Sequence, residues 1–254
     1  MSVPPLSVLS VLFLLVAGVL AGFINTLAGG GSLLTLPALI FAGLPSPIAN
    51  ATNRVAVFLQ TAVGSVQFYR KGKLEPREAL ILGFPALAGA VLGTLLAVDI
   101  DKALFDKILG GVLIVILVTL FVRPSMWVEE KRRSLPLWIR VPLFFAVGVY
   151  GGFIQAGVGF LLILSLSLAV GYDLVKSNAL KVAIVLLFSG MSLLIFSVSG
   201  MVMWVHGLVL AAGNMSGALI GVRFAVRRGA GQVRWVVVAA VAVSALKLFG
   251  IIDF

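Results

Sequence analysis

Residues Asn25–Pro37 read NTLAGGGSLLTLP, a glycine triplet set between polar side chains and a proline. Consecutive glycines unravel a helix and leave backbone N–H groups without partners. A helix restarting at Ser32 would present those groups together with the positive end of its dipole, which is an anion site. Asn25, Thr26, Ser32 and Thr35 place neutral donors around Gly29, Gly30 and Gly31. The competing reading is that the glycines only allow close packing and the polar groups satisfy one another. A second set lies in ANATNRVAVFLQ, where Asn50, Asn53 and Arg54 open an apolar run and Gln60 follows. KSNALKVAIVLL repeats the pattern with Lys176, Asn178 and Lys181.

Cations inside an apolar run are costly and normally face a cavity or a partner. Asp99, Asp101, Asp106, Glu75, Glu78, Glu129 and Glu130 are expected in loops, and Asp173 at a membrane edge. None is placed to pair with Arg54 or Lys181. Unpaired cations beside amide donors and a helix start favour an anionic ligand; snorkelling to the surface is the alternative. Lys176 reads as an interfacial residue, and His206 as a surface histidine on an outer loop. Without an intramembrane carboxylate, the usual proton or sodium relay is not expected. The chain has no cysteine and one histidine, so no metal site, cofactor or catalytic constellation is expected, and the protein is not read as an enzyme.

The elements that must carry these residues are set by composition. The chain of 254 residues is 61% hydrophobic and only 11% charged, with a mean hydropathy of +1.19. Soluble domains carry about a quarter charged residues. The expectation is an all-α polytopic membrane protein. Its apolar runs fall at 5–28, 32–43, 48–70, 77–98, 102–122, 138–156, 159–171, 175–198, 203–226 and 232–252. The first lacks the basic start of a signal peptide and is read as a retained span. The runs 32–43 and 159–171 are too short to cross about 30 Å of hydrocarbon, and each follows a glycine break. They read as broken or re-entrant helices.

The list divides into two sets of five. GFINTLAGG resembles GFIQAGVGF, which pairs Gly22 with Gly152 and Asn25 with Gln155; Asn50 pairs with Asn178, and GAVLGTLLAV with GALIGVRFAV. Gly89/Gly93 and Gly217/Gly221 have the spacing of tight helix crossings. Arg70, Lys71, Lys73 and Arg77 crowd the loop after the third run, while its counterpart SVSGMVMWVHG has no lysine or arginine. The next loop reverses this: it is acidic on balance in the first half but carries Arg223, Arg227, Arg228 and Arg234 in the second. Basic loops stay cytoplasmic, so the two repeats are expected to be inverted, with both termini outward. The division is 1–122 for the first repeat, 123–137 for a cytoplasmic linker and 138–254 for the second repeat. A net charge of +10 held in short loops sets topology and touches anionic lipid; nucleic acid is not an expected partner. Inverted repeats with interrupted helices are an arrangement of secondary transporters, whose substrate sits near the midplane.

AGFINTLAGGGSLLTLPAL, followed by SPIANATNRVAVFLQTAVGSVQFYRKGKL, resembles the TauE/SafE sulfite exporter family, also called the 4-toluenesulfonate uptake permeases. The resemblance implies a multi-pass transporter in the inner membrane of a bacterium or archaeon. Such a transporter would carry sulfite, sulfoacetate or other organosulfonates; the repeat and the membrane potential make alternating access and export the expected mode. A passive anion channel and an uptake permease for a related oxyanion are the alternatives. The family's glycine-rich motif falls on Gly29, Gly30, Gly31 and Pro37, and its polar third segment on Asn50, Thr52 and Asn53. The second half departs from the pattern, with Gly157 and Gly159 but no triplet and no proline. The partners implied are a small anion and the lipid bilayer; assembly into a homo-oligomer is left open.

Overall fold

The computed structural model describes residues 6–27, 29–111 and 135–248, with side chains as far as Arg227. Among these residues the structure is helical, with no strand. The elements are α1 (Val8–Leu27), α2 (Ser32–Phe41), α3 (Ser46–Arg70), α4 (Pro76–Val98) and α5, described over 102–111. They continue with α6 (Leu137–Phe153), α7 (Val158–Leu164), α8 (Leu174–Val198) and α9 (Trp204–Leu248). The end of α7 passes directly into a π-helical stretch, Ser165–Val170. By length and apolarity α1, α4, α8 and α9 as far as Arg227 can each cross a membrane. Proline in the first turn starts α3 and α4, where a missing N–H costs nothing. Asp173 starts α8 by accepting from the Val175 and Lys176 N–H groups at 2.8 and 2.9 Å.

Both short helices fold back from a glycine turn. Gly29 has φ +85°, a left-handed conformation that a side chain resists, and it turns the chain back on itself. Consequently α2 runs antiparallel to α1: Ala38 and Leu39 share an apolar cluster with Leu14, and Gly31 lies against the Ala21 carbonyl. Gly157, at φ +71°, makes the second turn without a triplet or a proline. The returning segment there reaches the start of α6, where the Leu135 N–H donates to the Ala169 carbonyl at 2.8 Å.

The hairpins are exchanged across the molecule. Helix α1 packs along α9, α4 along α6, and α3 and α8 pack on each other and on α9 and α4. Two seams of small residues allow this. Gly22 and Gly217 bring α1 onto α9 at the Asn214 and Val19 carbonyls, while Gly93 and Gly148 bring α4 onto α6 at the Val149 and Ala86 carbonyls. A Cβ at any of these glycines would run into the facing backbone. The expectation of tight crossings at Gly89/Gly93 and Gly217/Gly221 thus has its counterpart in the packing.

Three expectations need correction. The break expected between 226 and 232 is absent, because α9 runs unbroken to Leu248. RRGAGQVRW contains no proline, and a helix tolerates isolated glycines at about 1 kcal/mol each. Arg227, Arg228 and Arg234 therefore lie on a helix and not in a loop. His206 is buried on α9, not on the surface, because α9 starts at Trp204 and turns this position inward. Glu78 belongs to the first turn of α4 and Asp106 to α5, so neither acid is in a loop. Most of the linker 123–137, with Glu129 and Glu130, lies outside the described residues; Leu137 itself opens α6.

Candidate functional site

The two hairpin tips meet. Gly29 and Gly159 touch backbone to backbone, and a Cβ on either would overlap the other's main chain. Around this junction the helices supply buried polar groups in two clusters.

At the first tip, Lys181 is 2% exposed and its Nζ donates to the Asn25 carbonyl at 2.6 Å, the Thr26 carbonyl at 3.1 Å and Asn178 Oδ1 at 2.8 Å. These carbonyls belong to the last turn of α1, the negative end of its dipole. Asn25 Nδ2 donates to Gln60 Oε1 at 2.7 Å, and Thr26 Oγ1 donates to the Gly22 carbonyl at 2.8 Å. At the second tip, Arg54 is fully buried and reaches the last turn of α6. Its Nη1 donates to the Gly151 carbonyl at 2.7 Å and to Gln155 Oε1, and its Nη2 donates to the Gly152 carbonyl at 2.7 Å. Phe196 lies against the guanidinium, 5.5 Å from ring centroid to Cζ. Asn50 Nδ2 donates to the Phe153 carbonyl at 2.9 Å.

Between the clusters stands the start of α2. Ser32 opens it with no side chain capping the helix, while the Leu33 and Leu34 N–H groups donate to the Gly30 and Gly31 carbonyls at 3.0 Å each. Asn53 Nδ2 donates to Ser32 Oγ at 3.3 Å, while Asn53 Oδ1 and Thr35 Oγ1 are buried without a partner. Asn178 Nδ2 is likewise unpartnered. No aspartate or glutamate is buried among the described residues. The junction therefore carries two buried basic side chains, the start of a helix and spare amide and hydroxyl groups.

The sequence-derived residues divide accordingly. Asn25, Thr26, Asn178 and Lys181 gather at one tip, Asn50, Arg54 and Gln155 at the other, and Gly29, Gly30, Gly31, Ser32, Thr35 and Asn53 between them. Arg54 and Lys181 neither snorkel nor stand unpaired: each has backbone carbonyls as partners, which no residue type announces. Thr94 was missed. Its Oγ1 bonds the Gly152 carbonyl at 3.2 Å and Ser192 Oγ at 2.7 Å. Lone hydroxyls on helices usually bond their own backbone, so neither residue stands out in the sequence. Asn214 is buried in the α1 seam with its Oδ1 unpartnered. Lys176 bridges Glu75 and Glu78 at 3.1 Å each, away from the junction.

Among the described residues, four helices long and apolar enough to cross a membrane, with shorter apolar helices folded back between them, mark a membrane protein. Residues 14–248 match the family described as Sulfite exporter TauE/SafE, and the chain belongs to that family. A relative from Sinorhizobium sp., "Probable membrane transporter protein ORF9", is 30% identical over 237 residues, 93% of this chain and 91% of its own. One from Haemophilus influenzae, "Probable membrane transporter protein", is 30% identical across 92% of this chain and 91% of its own. "Probable membrane transporter protein YfcA" of Escherichia coli K12 is 30% identical across 94% and 89%. No solved structure matches.

Proposed function

We propose that the protein carries small sulfur-containing anions, such as sulfite, sulfoacetate or other organosulfonates, across the inner membrane of a bacterium or archaeon by alternating access. The observation that carries this reading is the uncapped start of α2 at Ser32, set with Asn53 between two buried cations and away from any buried acid among the described residues. Tetrahedral or pyramidal oxyanions match such a set, because each oxygen accepts hydrogen bonds from amide and hydroxyl donors. The proposed ligand groups are the Ser32 and Thr35 hydroxyls and the Asn53 amide, at the positive end of the α2 dipole. Asn50, Gln155, Asn178, Arg54 and Lys181 shape the pocket and its potential.

Inverted repeats support a carrier, and the packing favours them. Helix α3 sends Arg54 to the Gly151 and Gly152 carbonyls; α8 sends Lys181 to those of Asn25 and Thr26. Gly22 meets Asn214 and Gly148 meets Ala86. Paired by these contacts, Gly22 answers Gly148 and not Gly152, one helical turn from the match read in the letters. Glycines one turn apart at Gly148 and Gly152 make a one-turn slip invisible in sequence. The membrane potential supports export, since an anion leaving a negative interior gains about 2.3 kcal/mol per charge per 100 mV.

The test is a thermal-shift screen of the purified protein against sulfite, sulfate, thiosulfate, sulfoacetate and taurine. Saturable stabilisation by a sulfur oxyanion, lost in Ser32→Ala together with Asn53→Ala, is expected. No stabilisation by any of them defeats the substrate class.

A further inference from the structure

Helix ends inside a membrane need counter-charge. A C-terminus leaves up to four carbonyls unbonded and carries about half a negative charge. In carriers with interrupted helices, such carbonyls hold the coupling cation while N-termini hold the anion. Here the ends of α1 and α6 are both buried beside the junction, and both are already filled by the protein's own side chains. Lys181 Nζ has an acceptor set of the Asn25 carbonyl, the Thr26 carbonyl and Asn178 Oδ1, at 2.6, 3.1 and 2.8 Å. This is a cage of oxygens for a monovalent cation, matched by the three hydrogens of an ammonium. Arg54 spans the Gly151 and Gly152 carbonyls with two nitrogens at 2.7 Å each, a fork that a spherical ion could not imitate.

We propose that Lys181 and Arg54 are tethered counter-ions, permanently occupying the cation positions at the two helix ends, so that the protein works without a coupling sodium or potassium ion. The inference rests on the carrier reading, which it deepens by naming what the site does not take up. It also assigns the two cations a role distinct from gripping substrate. Each comes from the third helix of one half and holds the first helix of the other. Removing the tether while keeping the cage should create a site for a free cation.

The experiment reads thermal stability of the purified protein without any anionic substrate, so its outcome is separate from that of the anion screen. Lys181→Ala is expected to melt below the wild type and to recover at least half of the loss, saturably, in ethylammonium. Lys181→Met fills the space with an apolar chain and should lose stability without recovery. Arg54→Ala should respond to low millimolar guanidinium and not to ethylammonium. The wild type, moved from sodium to N-methylglucamine buffer, should melt unchanged. Cation-insensitive melting of a folded Lys181→Ala overturns the proposal. Sodium-dependent stability of the wild type overturns it too, and that arm decides even if the variants fail to fold.

Discussion

The two hairpin tips solve one problem with different chemistry. Both turn on a left-handed glycine, Gly29 or Gly157, and both end their first helix against a buried cation from the opposite half. The second tip is closed: the Arg54 fork holds two carbonyls and Gln155, with Phe196 against its face. Its returning helix is short and gives way to a π-helical stretch after Leu164. The first tip is more open. Lys181 is a point charge, Asn25 is only half-buried, and α2 is a regular helix whose start is uncapped and lined by unpartnered polar atoms. Under the proposed function, the difference makes the second tip mainly structural and the first the place where an anion would have groups to meet.

The largest break in this comparison is expected from Arg54→Ala. It strands the Gly151 carbonyl and Gln155 Oε1 in the interior, at about 1–3 kcal/mol for each buried acceptor left unmade, and leaves the Gly152 carbonyl to Thr94 alone. Thermal unfolding in detergent should show a clearly greater loss than Lys181→Ala, where half-buried Asn25 admits water. Equal losses would erase the distinction between a closed and an open tip.

Next come the turning glycines. Gly29→Ala forces a side chain into a left-handed conformation, at about 1–2 kcal/mol, and adds an overlap with Gly159. Gly157→Ala carries the conformational cost at φ +71°. Melting temperatures should rank Gly29→Ala below Gly157→Ala, and the reverse order would place the tighter contact at the wrong tip.

The smallest effect belongs to Lys176→Gln. Its bridges to Glu75 and Glu78 are partly exposed, and such pairs contribute about 0–1 kcal/mol. The variant should melt within a few degrees of the wild type and keep its response to anions. A large loss would mean that the bridge locks the bundle.

The sequence disclosed most where residue type alone dictates conformation. The glycine breaks, the two short runs and the buried positions of Arg54 and Lys181 follow from composition and periodicity. What it hid were partners without letters: the cations bind main-chain carbonyls, and Thr94 joins Ser192 across helices α4 and α8. The end of α9 was misread because arginines mark a membrane edge without stopping a helix. Burial of His206 depends on which face α9 turns to α3, where Gly207 lies against Val55. One polar residue fixes no phase.

The central claim is that an anion is carried at the start of α2. Counterflow in proteoliposomes tests it most directly, with labelled sulfite or sulfoacetate outside and an excess of the same anion trapped inside. Wild-type protein should show saturable uptake accelerated by the internal anion, and Asn53→Ala should lose it at least tenfold while keeping its fold. Linear uptake with no acceleration, or an Asn53→Ala variant transporting at the wild-type rate, would contradict it.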